Sequence, residues 1–143
     1  MKRSAAKSLK VSFSVFAIVS LMAFGNNAGA ETLNSVSHIH QVKVVGNKVL
    51  VLTHEGLYEL AGKNDMKLVG KEKIDVMGFT TLGETLVASG HPAEGSKMPN
   101  PIGLVKSIDG GLTWKAISLV GEVDFHFLEG AGSDLYGLSL IHI

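Results

Sequence analysis

Five histidines and two aspartates recur at fixed distances from three glycines, and side chains of these types bind metals or move protons. Eight residues before Gly46, Gly83 and Gly132 stand His38, Asp75 and Asp124; six residues before them stand His40, Met77 and His126. Eight residues after the first two glycines stand His54 and His91. Neutral imidazole and carboxylate are ligands for Zn, Cu, Ni or Fe, and a thioether such as that of Met77 favours copper. His38, His40, His54, His91, Asp124 and His126 are therefore candidate metal ligands, with Met77 a further ligand-binding candidate. Asp75 and Asp124 occupy equivalent positions and are candidate catalytic groups. Glycoside hydrolysis needs such a carboxylate pair roughly 5–10 Å apart, and histidines could assist as proton carriers. A plainer reading competes with both: the same side chains could bond to backbone where each repeat begins and knit neighbouring repeats together.

The elements that must position these residues are strands and turns. Short Val/Leu-rich runs (Val42–Val45, Val49–Thr53, Leu57–Leu60, Leu86–Ser89) alternate with Gly-Asn, Glu-Gly and similar breakers, and no helical period is sustained. Gly46–His54 aligns without gaps on Gly83–His91, and a third copy starts at Gly132. The three glycines lie 37 and 49 residues apart, bracketing the ~40–50 residues of a four-stranded propeller blade. The expected fold is thus an all-β β-propeller over residues 31–137, with blade 1 at about 36–72, blade 2 at about 74–120 and the start of blade 3 from about 122. In such a blade the first strand lines the central channel and pairs antiparallel with the second. Residues two apart share a side of a strand, so all eight chemical positions are expected to converge on one channel mouth. The longer interval holds an insertion, His91 to Pro101, with the chain's three prolines; it reads as a lid over the site or as a brace. A closed propeller needs at least four blades, so the chain reads as an N-terminal fragment that is unstable alone.

The second unit contains Ser107-Ile108-Asp109-Gly110-Gly111-Leu112-Thr113-Trp114, the full Asp-box pattern Ser-x-Asp-x-Gly-x-Thr-Trp. The Asp carboxylate should accept backbone N–H bonds, the glycines should take positive φ, and the Trp should pack on its own hairpin. Ser107, Asp109, Gly111, Thr113 and Trp114 are accordingly structural candidates, not catalytic ones. The first unit carries an eroded copy, Leu57–Asp65, without the Trp.

From His38 to Gly137 the chain resembles exported bacterial BNR (Asp-box) repeat propellers, often labelled glycosyl hydrolases. It is similar more widely to sialidase-like, sortilin-like and photosystem II assembly factor-like propellers. The closer resemblance is carried by His38-Ile39-His40, Thr53-His54-Glu55-Gly56-Leu57, Met77-Gly78-Phe79, Ser89-Gly90-His91-Pro92, Asn100-Pro101-Ile102-Gly103-Leu104 and Asp124-Phe125-His126. The resemblance implies the fold; the hydrolase label belongs to the fold's relatives and does not travel with it. Sialidases clamp their substrate carboxylate with three arginines. The one Arg here, Arg3, precedes the mature part, so sialidase chemistry is not expected.

The ends of the chain bound its location. Lys2, Arg3, Lys7 and Lys10, the apolar run Val11–Phe24 and Ala28-Gly29-Ala30 make a secretory signal peptide over residues 1–30, and the expected location is periplasmic or extracellular. The apolar run is shorter than a bilayer span, so no membrane span is expected after cleavage. No Cys is present, which excludes disulfides, thiolate metal sites and a lipoprotein anchor. Four of the 13 basic residues lie in the leader, leaving nine lysines against 13 acids, a net charge of −4. That charge argues against nucleic acid as partner and leaves a small molecule, a glycan or a protein. Leu138–Ile143 resembles translated sequencing adapter and is expected to be foreign to the natural protein.

Overall fold

The computed structural model describes residues 31–140; the signal peptide assigned to 1–30 and the last three residues of the suspected adapter stretch lie outside the described residues. The fold is all-β and antiparallel. A first sheet has the order β1-β5-β4-β3-β2, from β1 (Glu31–Thr32), β2 (Ile39–Val45), β3 (Lys48–Thr53), β4 (Gly56–Leu60) and β5 (Asp65–Leu68). The repeat leads one to expect four strands here. The fifth, β1, pairs Glu31 with Met66 and Thr32 with Asp65, covering an edge that would otherwise expose unpaired backbone.

A second sheet runs in chain order through β6 (Ile74–Leu82), β7 (Thr85–Pro92), β8 (Leu104–Ser107) and β9 (Lys115–Ser118). A two-stranded sheet, β10 (Phe125–Ala131) with β11 (Asp134–Ser139), completes the described part. Strand β11 continues past Gly137: Leu138 pairs with Phe127 and Ser139 with Phe125. Such pairing is made by backbone, so it does not depend on which side chains stand there. No helix among the described residues is long and apolar enough to cross a membrane.

The three repeat glycines make three equivalent turns. Val45 pairs with Lys48, Leu82 with Thr85 and Ala131 with Asp134, so each hairpin has a two-residue loop opening on Gly46, Gly83 or Gly132. These glycines have φ of 60, 59 and 63°, and the residue after each does not share the positive φ, the pattern of a type II′ hairpin turn. The first strand of each hairpin then carries a β-bulge at the same repeat position: His40, Met77 and His126 are the residues skipped in the ladders. The bulge leaves its mark on the burial pattern of β6. Ile74, Val76 and Phe79 all enter one hydrophobic cluster, a two-residue step followed by a three-residue step.

That cluster is the core, and it lies between the first two sheets. Leu50, Leu52 and Leu57 from the first meet Ile74, Val76, Phe79, Leu86, Ala88 and Val105 from the second. Alternation in β3 sends Val51 the other way, into a smaller cluster with Tyr58 and Met66. The third sheet rests on the second, with buried Leu128 of β10 against Gly78 of β6. The opening strands β2, β6 and β10 are near neighbours, close enough for Lys43 of β2 to reach Glu129 of β10 at 3.8 Å.

The Ser107–Trp114 turn is held by its own side chains. Asp109 accepts Thr113 N–H at 3.0 Å and Thr113 Oγ1–H at 2.6 Å, while Ser107 Oγ accepts Gly111 N–H at 2.8 Å. These bonds hold the exposed Asp109 carboxyl down at about 2. Gly110 and Gly111 have φ of 74 and 93°. Trp114 packs on the cluster between the two sheets, so its contribution reaches beyond its own hairpin.

A candidate His/Asp site at the sheet junctions

The eight positions picked out by the repeat do not form one ring. Seven of them, all but Met77, resolve into two polar groups, each where one sheet meets the next. The residue eight after one repeat glycine meets the residue eight before the following one: His54 reaches Asp75, and His91 reaches Asp124.

In the first group His54 Nδ1 lies 2.8 Å from Asp75 Oδ2 and 3.3 Å from His40 Nε2, and His40 Nε2 lies 3.2 Å from Asp75 Oδ1. One ligand atom from each of the three falls within 4.8 Å of the others, the one such set among the described residues. His38 stands beside them, its ring 5.2 Å from that of His54 and stacked at 6.4 Å on that of His40. Burial lowers the His40 pKa, opposed by Asp75 and reinforced by His54 and His38, so its ring is neutral at neutral pH. The proton count then becomes informative. Two neutral rings cannot put one proton in each of the three contacts: with N–H groups on both His54 Nδ1 and His40 Nε2 the two contacts to Asp75 are served, and the ring–ring contact is left as two N–H groups facing each other. Asp75 Oδ1 is buried and receives no hydrogen bond. A cation held by the three groups in place of those protons removes the conflict.

In the second group Asp124 Oδ2 lies 2.7 Å from His126 Nε2 and 3.0 Å from His91 Nε2. The far nitrogen of His91 is 2.8 Å from Asn100 Oδ1, on the insertion. Asp124 Oδ1 is buried without a partner. The two groups are neighbours, because Asp75 and His91 are directly paired across β6 and β7, which sets their Cβ atoms about 5 Å apart.

The expected placements need three corrections. His91, Asp124 and His126 do not join His40 and His54 in a single ligand set; the junction pairing divides them. Met77 sits half-buried at the β6 bulge and belongs to neither group's polar contacts, so the argument for copper loses its thioether. Both carboxylates expected to act as an acid/base pair are already engaged by imidazoles, which makes them anchors for histidine.

Two residues matter that the repeat did not single out. Asn100 lies within the insertion and so has no counterpart in the other units. Glu55, in a tight turn after His54, accepts the N–H and the hydroxyl of Ser37 at 3.0 and 2.6 Å, fixing the segment that presents His38. These bonds to Ser37 outweigh burial and pull the Glu55 carboxyl down from 4.5 to about 2. A depressed folded pKa gives stability that is complete above the unfolded value and is lost as pH falls through the folded one. Glu55→Gln should therefore flatten the fall in melting temperature between about pH 4.5 and 2, measured by thermal melts across that range. An unchanged slope would show that the Ser37 bonds do not hold the carboxylate.

The insertion behaves as a brace. Ile102 is fully buried in the core cluster, Met98 packs against it, and Pro101 accepts Gly121 N–H at 2.8 Å. Between its Ala93–Met98 portion and the segment leading into β6 opens a cleft of about 610 Å³, bordered by Lys71, Lys73, Lys97, Glu72 and Glu94.

No protein-family model, curated protein or solved structure matches the chain.

Proposed function

We propose that this is an exported protein of the Asp-box propeller type that binds a divalent transition metal through His40, His54 and Asp75. The propeller reading is supported by three meandering sheets stacked through their opening strands, with equivalent turns and bulges in each. The export reading rests on the basic and apolar pattern of residues 1–30.

The observation that carries the metal reading is the spacing of the three ligand groups. Zinc holds nitrogen and oxygen ligands at about 2.0–2.2 Å, so tetrahedral ligands lie roughly 3.3 Å from one another. The two imidazole nitrogens lie 3.3 Å apart, and Asp75 meets them through its two oxygens, Oδ1 at 3.2 Å from His40 and Oδ2 at 2.8 Å from His54. A hydrogen-bonded cluster would need a proton on each contact; one cation satisfies all three at once. Three protein ligands leave the fourth position for water or an exogenous ligand. With no thiolate or thioether, the donor set suits Zn, Cu(II) or Ni.

Equilibrium dialysis of the purified protein against Zn²⁺ and Cu²⁺, read by elemental analysis, should find one ion per chain. His40→Ala and Asp75→Ala should each weaken binding at least about a hundredfold, the upper end of the cost of losing only outer-shell support. His126→Ala should change it less than twofold. Binding that survives both first-group substitutions, or no binding by the unmutated chain, would sink the proposal.

A further inference from the structure

Each sheet turns one face to the sheet before it and one to the sheet after it, and the repeat glycines count out which residues do so. Residues four and six after a glycine turn to the following sheet. Leu50 and Leu52 join the cluster with Val76 and Phe79, and Ser89 Oγ accepts the Phe125 N–H at 3.0 Å. Residues four and two before a glycine turn to the preceding sheet. Phe79 enters the cluster with Leu50 and Leu52, while buried Leu128 lies against Gly78 and Gly130 against Thr81.

The same count leaves apolar side chains open at both ends of the stack. Four and six after Gly132 stand Tyr136 and Leu138, 59% and 65% exposed, and Phe127, paired with Leu138, adds to that face at 54%. Four and two before Gly46 stand Val42 and Val44, 55% and 69% exposed. Their counterparts inside the stack, Leu50, Leu52, Phe79 and Leu128, are at most 2% exposed. Tyr136 and Phe127 precede the stretch expected to be foreign, so the face at the third sheet is not made by that stretch alone.

We propose that two copies of this chain join head to tail, the Tyr136 and Leu138 face of each receiving the Val42 and Val44 face of the other. The occupant follows from the interface the chain already makes twice: positions equivalent to Val42 meet positions of the preceding sheet at both internal junctions. A contact between unlike faces ends either in a closed ring or in an open filament. The number of sheets selects a ring of two. One copy brings three sheets, and closed propellers hold about four to eight. Two copies bring six, inside that range, and three copies overshoot it. The inference rests on the propeller part of the proposed function and does not use the metal.

Sedimentation velocity of the chain at micromolar concentration should find dimers. Val44→Lys and Tyr136→Lys should each weaken them at least about thirtyfold, the effect of an interface hot spot. Both side chains are exposed, so neither substitution opens a core. The chain has no Cys, so introduced thiols report on the contact without background. A chain carrying both Val44→Cys and Tyr136→Cys should be joined into covalent dimers by a flexible bis-maleimide. Either cysteine alone should not be, because like residues lie at opposite contacts in a ring of two. Links formed by a single cysteine overturn the proposal. Monomers overturn it as well, and show that something other than a second copy covers these faces. An open series of larger species overturns it together with the ring. Dialysis against Zn²⁺ keeps the metal reading apart: monomers that still take up one ion per chain would end the dimer alone.

Discussion

Gly90→Ala should cost the chain about 4 kcal/mol or more, in the range reserved for strained backbone and forced clashes. Gly90 has φ of 148° and pairs with Val76, the residue just before the β6 bulge. A Cβ there would stand 1.9 Å from the Asp75 carbonyl oxygen and 3.0 Å from Met77 N. Both obstacles are backbone, so no rotamer change relieves them, and β6 and β7 must part where they hold Asp75 and His91. A loss of that size lowers the melting temperature of a domain this small by on the order of 20 °C. Gly83→Ala is the control. It too has positive φ, 59°, but open space around its Cβ, so only the conformational cost of about 1–3 kcal/mol applies. Thermal melts followed by the fluorescence of the lone Trp114 would compare the two. A Gly90→Ala melt no lower than that of Gly83→Ala would show that the bulge yields where the structure says it cannot.

The same bulge explains how far the sequence could be read. Repeat glycines announce the three hairpins because a II′ turn demands Gly at its first position, a local requirement visible in a local pattern. The all-β class was legible for a similar reason, since runs such as Lys48–Thr53 carry strand formers between turn residues. The histidines and aspartates at sheet ends were legible as positions. How they would group was not, because His54 meets Asp75 and His91 meets Asp124 only once separate sheets pack together. Nor does Ile39–Val45 announce that His40 is skipped in the ladder; a bulge adds a residue without altering the run of residue types. Asn100 and Glu55 gave no signal, one lying outside the repeat and the other reading as ordinary turn chemistry. The fifth strand β1 was hidden because two residues beside the expected cleavage point carry no period at all.

The two polar groups should also come apart under a single substitution that replaces none of their residues. Gly78 follows the bulge in β6, and a Cβ there would lie 2.4 Å from the Phe125 carbonyl oxygen and 3.1 Å from Leu128 Cγ. Phe125 directly follows Asp124, and its N–H is fastened to Ser89 Oγ of β7 at 3.0 Å. Gly78→Ala must therefore push β10 off β6 and carry Asp124 and His126 away from His91. His40 and His54 of the first group come from the first sheet, whose Leu50 and Leu52 share one cluster with Val76 and Phe79. Overpacking of this kind costs about 1–3 kcal/mol, roughly a ten- to hundredfold rise in local opening. Hydrogen-exchange mass spectrometry should see that rise in peptides spanning β10 and β11 and little change across β2 to β4. Metal affinity at His40, His54 and Asp75 should stay within twofold. If exchange in β10 and β11 is unaltered, the contact through Gly78 does not join the third sheet to the second. If the first group loses its affinity as well, the two groups share one support, and their division between separate junctions is wrong.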